Sequence, residues 1–178
     1  MSTWIWLLVV AGLALAAFAF TRRYLATRGE RLVQCPDNRQ PAAVKVGAAW
    51  KALGGDWRLA DCSRWPEKHS CGRECLSQIE RSPDDCLVRK VVTDWYKDKT
   101  CAVCGKGVGQ VDWYDRKPGV MDESGKARPW GDVPADTLPD VLASHRPVCF
   151  DCYVSETFRR EHPELVLDNP WTPAQPRA

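Results

Sequence analysis

Two pairs of cysteines limit what this chain can fold into. Cys101-Ala-Val-Cys104 is followed by Gly105, and Cys149-Phe-Asp-Cys152 answers it after residues 105–148. A Cys-x-x-Cys spacing lets one tight turn aim both sulfurs at a single point. Two such pairs supply four thiolates, the usual donor set of a structural zinc ion in tetrahedral geometry with a Zn–S distance of ~2.3 Å. The fold expected around them is one in which distant segments are drawn together by an ion.

The compartment decides whether nine cysteines in 178 residues mean metal or disulfides. Trp4 to Phe20 carries no charge, and with Thr21 to Leu25 a helix of this length reaches the ~30 Å of a hydrocarbon core. Trp4, Trp6 and Tyr24 suit the two membrane interfaces. No Lys or Arg precedes the run, whereas Arg22, Arg23, Arg28 and Arg31 follow it. The positive-inside rule therefore predicts an inner or plasma-membrane single-pass anchor, N-terminus outside and the remainder cytoplasmic. A cleaved signal peptide would need a positive leading segment, and Ala17-Phe18-Ala19 is a poor cleavage site. Reducing cytoplasm favours metal over disulfides.

The expected organisation is α+β: a transmembrane helix followed by a small cysteine-rich, metal-stapled domain of short strands and three to four helices. Residues 1–3 are a short external terminus, 4–25 the anchor, and 26–34 a juxtamembrane spacer that continues the helix for a turn or two. Residues 35–98 form a cysteine-rich module of two strands and two helices. Ala43 to Val46 and Trp57 to Ala60 read as its strands, delivering Cys35 and Cys62 to a common place. Ser70 caps a helix to about Arg81 that sets Cys71 and Cys75 on one face, four residues apart. Ser82-Pro83-Asp84-Asp85 starts a second helix with Leu87, Val88, Val91, Val92 and Trp95 on its apolar face. Residues 99–167 form the second module, with a strand over Val108–Tyr114, turns at Pro118-Gly119 and Glu123–Lys126 with short strands between them, a short helix over 140–144 and a helix over 153–161. Residues 168–178 carry three prolines and read as a disordered tail.

Gly105 behind the first pair and a helix beginning at the second resemble the four-cysteine zinc-finger modules of treble-clef and zinc-ribbon type. The resemblance covers about 101–161. It implies a zinc ion held by Cys101, Cys104, Cys149 and Cys152, and names no function. A c-type haem site would need His after the second cysteine, where Gly105 and Tyr153 stand. A thioredoxin-like site needs a helix from the motif, which Gly105-Lys-Gly-Val-Gly109 opposes. Cys149/Cys152 does precede a helix, so a dithiol reading stays open there.

A second constellation is Cys35, Cys62, Cys71 and Cys75, with Cys86 as an alternative ligand. Zinc and an iron–sulfur cluster both accept four thiolates, and the irregular spacing leaves the metal open. His69 beside Cys71, His145 beside Cys149, and His162 are the three histidines; surface or capping roles outweigh ligation for each. Seven tryptophans outside the anchor point to packing in a small domain.

No phosphate-binding loop, nucleophile elbow, H-E-x-x-H or dinucleotide fingerprint occurs. A net charge of +2 offers no bulk attraction for nucleic acid. The expected function is a membrane-anchored zinc-binding adaptor or accessory subunit, more a binding protein than an enzyme, whose partners are the lipid bilayer and another protein. The alternatives are a membrane-tethered redox protein with an iron–sulfur cluster or exchangeable thiols among Cys35–Cys86, and a nucleic-acid-binding zinc finger.

Overall fold

The computed structural model describes residues 2–65 and 70–166. The external terminus expected at 1–3 lies in part, and His69 and the tail at 168–178 wholly, outside them. The chain divides into two compact units. The first takes Met1–Trp95 with Val133–Val141, and the second takes Tyr96–Asp132 with Leu142–Ala178. The second module was expected as one run over 99–167, so Val133–Val141 is a return to the first unit that local pattern did not announce.

In the first unit, α1 spans Ser2–Thr27. It is the one helix among the described residues long and apolar enough to cross a membrane, and none of its apolar window, Trp4–Thr27, is buried. The spacer expected to stay helical does not. Gly29 turns at φ 127°, and Glu30–Gln34 form β1. Positive φ is the conformation glycine adopts without a Cβ penalty, and it ends the helix here.

β1 pairs antiparallel with β2 (Pro41–Val46), which pairs with β3 (Leu59–Cys62). α2 (Ala48–Ala52) sits in the β2–β3 connection. The period-two alternation of β1 turns Arg31 and Val33 inward. Arg31 is therefore a buried cation, 1% exposed. Its Nη1 donates to the Thr27 carbonyl at 2.7 Å, and its guanidinium lies 5.0 Å from the Trp57 ring centroid. It thus ties the last turn of α1 to the sheet, with its charge at the negative end of the helix dipole. Val33, Ala42, Val44, Val46, Leu59, Cys75 and Ile79 form the core beneath.

Two elements differ from expectation. The helix predicted from Ser70 begins at Leu76 and runs to Arg81 (α3), because Arg73 adopts φ 55° and breaks the turn before it. Cys71 and Cys75 therefore do not share a helical face. The next helix, α4, covers Val88–Tyr96 and starts later than the Ser82-Pro83 signal suggested. Leu87 is drawn instead into an isolated bridge with Arg31, and the Cys86 carbonyl accepts from Leu32 N at 2.7 Å.

The second unit is built on a three-stranded sheet in the order β5-β4-β6, with β4 Gly119–Met121, β5 Ala127–Pro129 and β6 Arg146–Val148. α5 (Leu138–Ser144), whose first four residues belong to the first unit, leads into β6, and α6 (Phe150–Glu161) follows it. The strand expected over Val108–Tyr114 is not formed; an Asp112 side-chain turn to Tyr114 and Asp115 occupies part of it. Gly119 is required by close approach, since a Cβ there would lie 2.6 Å from the Tyr153 ring.

Tyr96 is 1% exposed and bonds in two directions. Its hydroxyl donates to the Gly119 carbonyl and accepts from Trp130 Nε1 at 2.9 Å. Burial holds this phenol well above its ordinary ionisation range. Tyr96→Phe strands the Trp130 N–H and the Gly119 carbonyl together. It should cost about 1–3 kcal/mol, read as a lower thermal midpoint in tryptophan fluorescence; an unchanged midpoint would show the pair to be solvated.

Candidate metal centre

Lys99 to Val108 folds back on itself in the second unit. Cys101 N donates to the Lys106 carbonyl at 2.8 Å, and Gly105 N donates to the Cys101 carbonyl at 2.9 Å. Gly105 makes this possible at φ 71°. Thr100 bridges Gly107, and Val108 N donates to Lys99 O at 3.0 Å, closing the neck of the turn. The result is a knuckle with both sulfurs on one side.

β6 brings the other pair to it. Ala102 N donates to the Pro147 carbonyl at 2.8 Å, fastening the knuckle to the strand that ends just before Cys149. Cys149 is the extended cap residue of α6, and Cys152 lies in its first turn. Thiolates at a helix start meet the positive end of the dipole. The sulfurs of Cys101, Cys104, Cys149 and Cys152 all lie within 4.8 Å of one another. Cys104 Sγ is 3.9 Å from Cys149 Sγ, and Cys149 N donates to Cys101 Sγ at 3.3 Å.

The electrostatics of the four are uneven. Burial opposes ionisation of Cys101, but the backbone N–H groups of Cys104, Cys149 and Val103 and the Cys149 thiol outweigh it, bringing it down to about 6. Cys149 is pushed up, first by burial. Cys152 is pushed up further by burial and by the three neighbouring sulfurs. One negative charge is accommodated at Cys101, and like charges a few ångströms away suppress more. A bound cation removes that limit, and a soft four-sulfur set fits zinc or an iron–sulfur cluster. The residues present therefore fit a metal.

The other candidates are placed as follows. Cys35, Cys62, Cys71 and Cys75 line one cavity of about 240 Å³ in the first unit. Among the described residues, only the Cys101 group brings three or more such ligand atoms within 4.8 Å of one another. Cys75 is buried and its thiol is pushed up, first by burial and then by Cys62, Cys71 and Cys35. Cys86 is apart from this cavity lining; its Sγ faces the Gln78 carbonyl at 3.9 Å. His145 has both ring nitrogens engaged, with Arg128 Nη2 at 2.7 Å and Ser144 Oγ at 2.8 Å. His162 Nδ1 lies 3.6 Å from Glu164, and its ring packs on Phe158. Neither histidine joins the four-sulfur group.

One neighbour had no signal in the sequence pattern. Arg116 Nη2 donates to Asp151 at 2.6 Å and lies 5.7 Å from the Phe150 ring centroid, bracing the first turn of α6. Both partners are exposed, so the pair positions more than it stabilises.

No protein-family model, curated protein or solved structure matches the chain.

The uneven thiols predict how metal uptake depends on pH. Cys149 and Cys152 must each lose a proton to solvent before binding an ion, so zinc affinity of the metal-free protein should rise with pH. Below about pH 6, where Cys101 also takes a proton, the slope should steepen by about one proton. Competition titrations with a chelating dye across pH measure this. A slope unchanged through that point would contradict the hydrogen-bonded Cys101 thiolate.

Proposed function

We propose that this chain is a membrane-anchored zinc-binding adaptor, a non-catalytic accessory subunit of a membrane complex. The observation that carries the reading is the convergence of Cys101, Cys104, Cys149 and Cys152 within 4.8 Å in a unit with little else to hold it. Among its described residues nothing larger than valine is buried besides Tyr96 and Met121. A core of that size supplies little stability, and a four-thiolate zinc ion contributes folding free energy directly.

The unburied apolar helix Trp4–Thr27 supports the anchor. Arg22 and Arg23 near its end and Arg28 just beyond it support a cytoplasmic location for the two units. The donor set supports a non-catalytic role. Four thiolates complete a tetrahedral zinc shell and leave no open position for water or substrate, which is the mark of a structural site.

The full chain, extracted in mild detergent without air, should sediment with membranes before extraction and carry zinc with no visible absorption band. Cys104→Ser should lower zinc content by one ion per chain and the thermal midpoint of the second unit with it. A brown protein with iron and acid-labile sulfide would favour electron transfer instead. Unchanged melting of Cys104→Ser would remove the structural site.

A further inference from the structure

The turn between β1 and β2 repeats the backbone of the knuckle around Cys101. Cys35 N donates to the Gln40 carbonyl at 2.9 Å, and Arg39 N donates to the Cys35 carbonyl at 2.8 Å. In the second unit the same two bonds run from Cys101 to Lys106, at 2.8 Å, and from Gly105 to Cys101, at 2.9 Å. The fifth residue is left-handed in both turns, Arg39 at φ 58° and Gly105 at φ 71°. An arginine held in this region is strained by about 1–2 kcal/mol, so the surrounding contacts enforce the turn. The difference that bears on a metal falls at the fourth position. Asn38 stands where the second knuckle has Cys104, and its side-chain oxygen accepts from Gln40 N at 3.1 Å.

Cys35 is thus the first cysteine of a knuckle whose second cysteine is missing. Three others face the same cavity. Cys62 ends β3 opposite Val44, and Trp65 N donates to its carbonyl at 3.0 Å to turn the chain away. Cys71 and Cys75 flank the left-handed Arg73, and Cys75 opens α3. All four line the cavity of about 240 Å³, between aliphatic Val33, Val44 and Leu59 and the charged Arg64, Arg73 and Glu74. Cys86 is outside that lining, which leaves it as the spare among the five thiols of this unit.

From this repetition we infer that Cys35, Cys62, Cys71 and Cys75 form a second four-thiolate centre that takes a zinc ion. Each thiol releases its proton to solvent as the ion binds, and the four sulfurs complete the shell. The knuckle supplies one ligand where the second unit's supplies two, and the Cys71–Arg73–Cys75 bend makes up the difference. The site stands independently of the one in the second unit.

Elemental analysis of the full detergent-solubilised chain, purified without air, tests it. Wild type should carry two zinc ions per chain, and Cys62→Ser and Cys35→Ser should each carry one. Cys86→Ser should keep two. Cys104→Ser reports on the other site and should lose one ion whatever happens here. Because a ligand variant can fail to fold, cobalt substitution of wild type is the second measurement. Sulfur-to-cobalt charge-transfer absorption that rises until two equivalents of cobalt per chain are bound supports the centre, and saturation at one equivalent overturns it. One zinc in wild type and in Cys62→Ser, or a Cys35–Cys62 or Cys71–Cys75 disulfide in that preparation, overturns it. Iron with acid-labile sulfide lost in Cys62→Ser overturns the zinc assignment.

Discussion

Four sulfurs cannot all carry charge side by side without a cation between them. The second unit depends on that constraint. Its backbone has drawn Cys101, Cys104, Cys149 and Cys152 within 4.8 Å, and hydrogen bonds to Cys101 let one of them ionise readily. Burial first, and then the sulfurs of Cys101 and Cys104, hold Cys149 and Cys152 towards the neutral thiol. An ion of charge two bound there would turn that repulsion into a shared attraction and hold the knuckle, β6 and the start of α6 at one point.

The packing fits this view. Val120 and Val148 are wholly buried, yet the sheet that holds them has strands of three residues. Such strands bury little apolar surface. The two bonds of Tyr96 add a polar clamp between the end of α4 and β4. The first unit has a larger aliphatic core and a buried arginine that fastens the end of α1 to its sheet. That arginine lies four residues beyond the end of α1, so the first sheet begins within a turn of the apolar helix rather than at the end of a helical spacer.

Much of the site was legible in residue spacing. The Cys-x-x-Cys pairs, Gly105 behind the first and the helix at the second act over a few residues, and local chemistry decides them. β2, β3 and α6 were legible for the same reason. The misreadings have a common cause. Arg31 looks like a solvated juxtamembrane charge, but the sheet buries it, and β1 replaces the expected helix. Cys71 and Cys75 have helical spacing, but Arg73 takes a left-handed turn between them. Val133–Val141 returns to the first unit through contacts distant in sequence. The knuckle-like turn at Cys35 was legible in Pro36, Asp37 and Asn38, although Asn38 stands where a second cysteine would have marked a ligand pair.

X-ray absorption at the zinc edge of the anaerobically purified full chain reads the ligands directly. Four-thiolate ligation predicts a first shell of four sulfurs at ~2.3 Å with no nitrogen or oxygen contribution. A shell containing nitrogen or oxygen, or a protein folded and free of zinc, would contradict it.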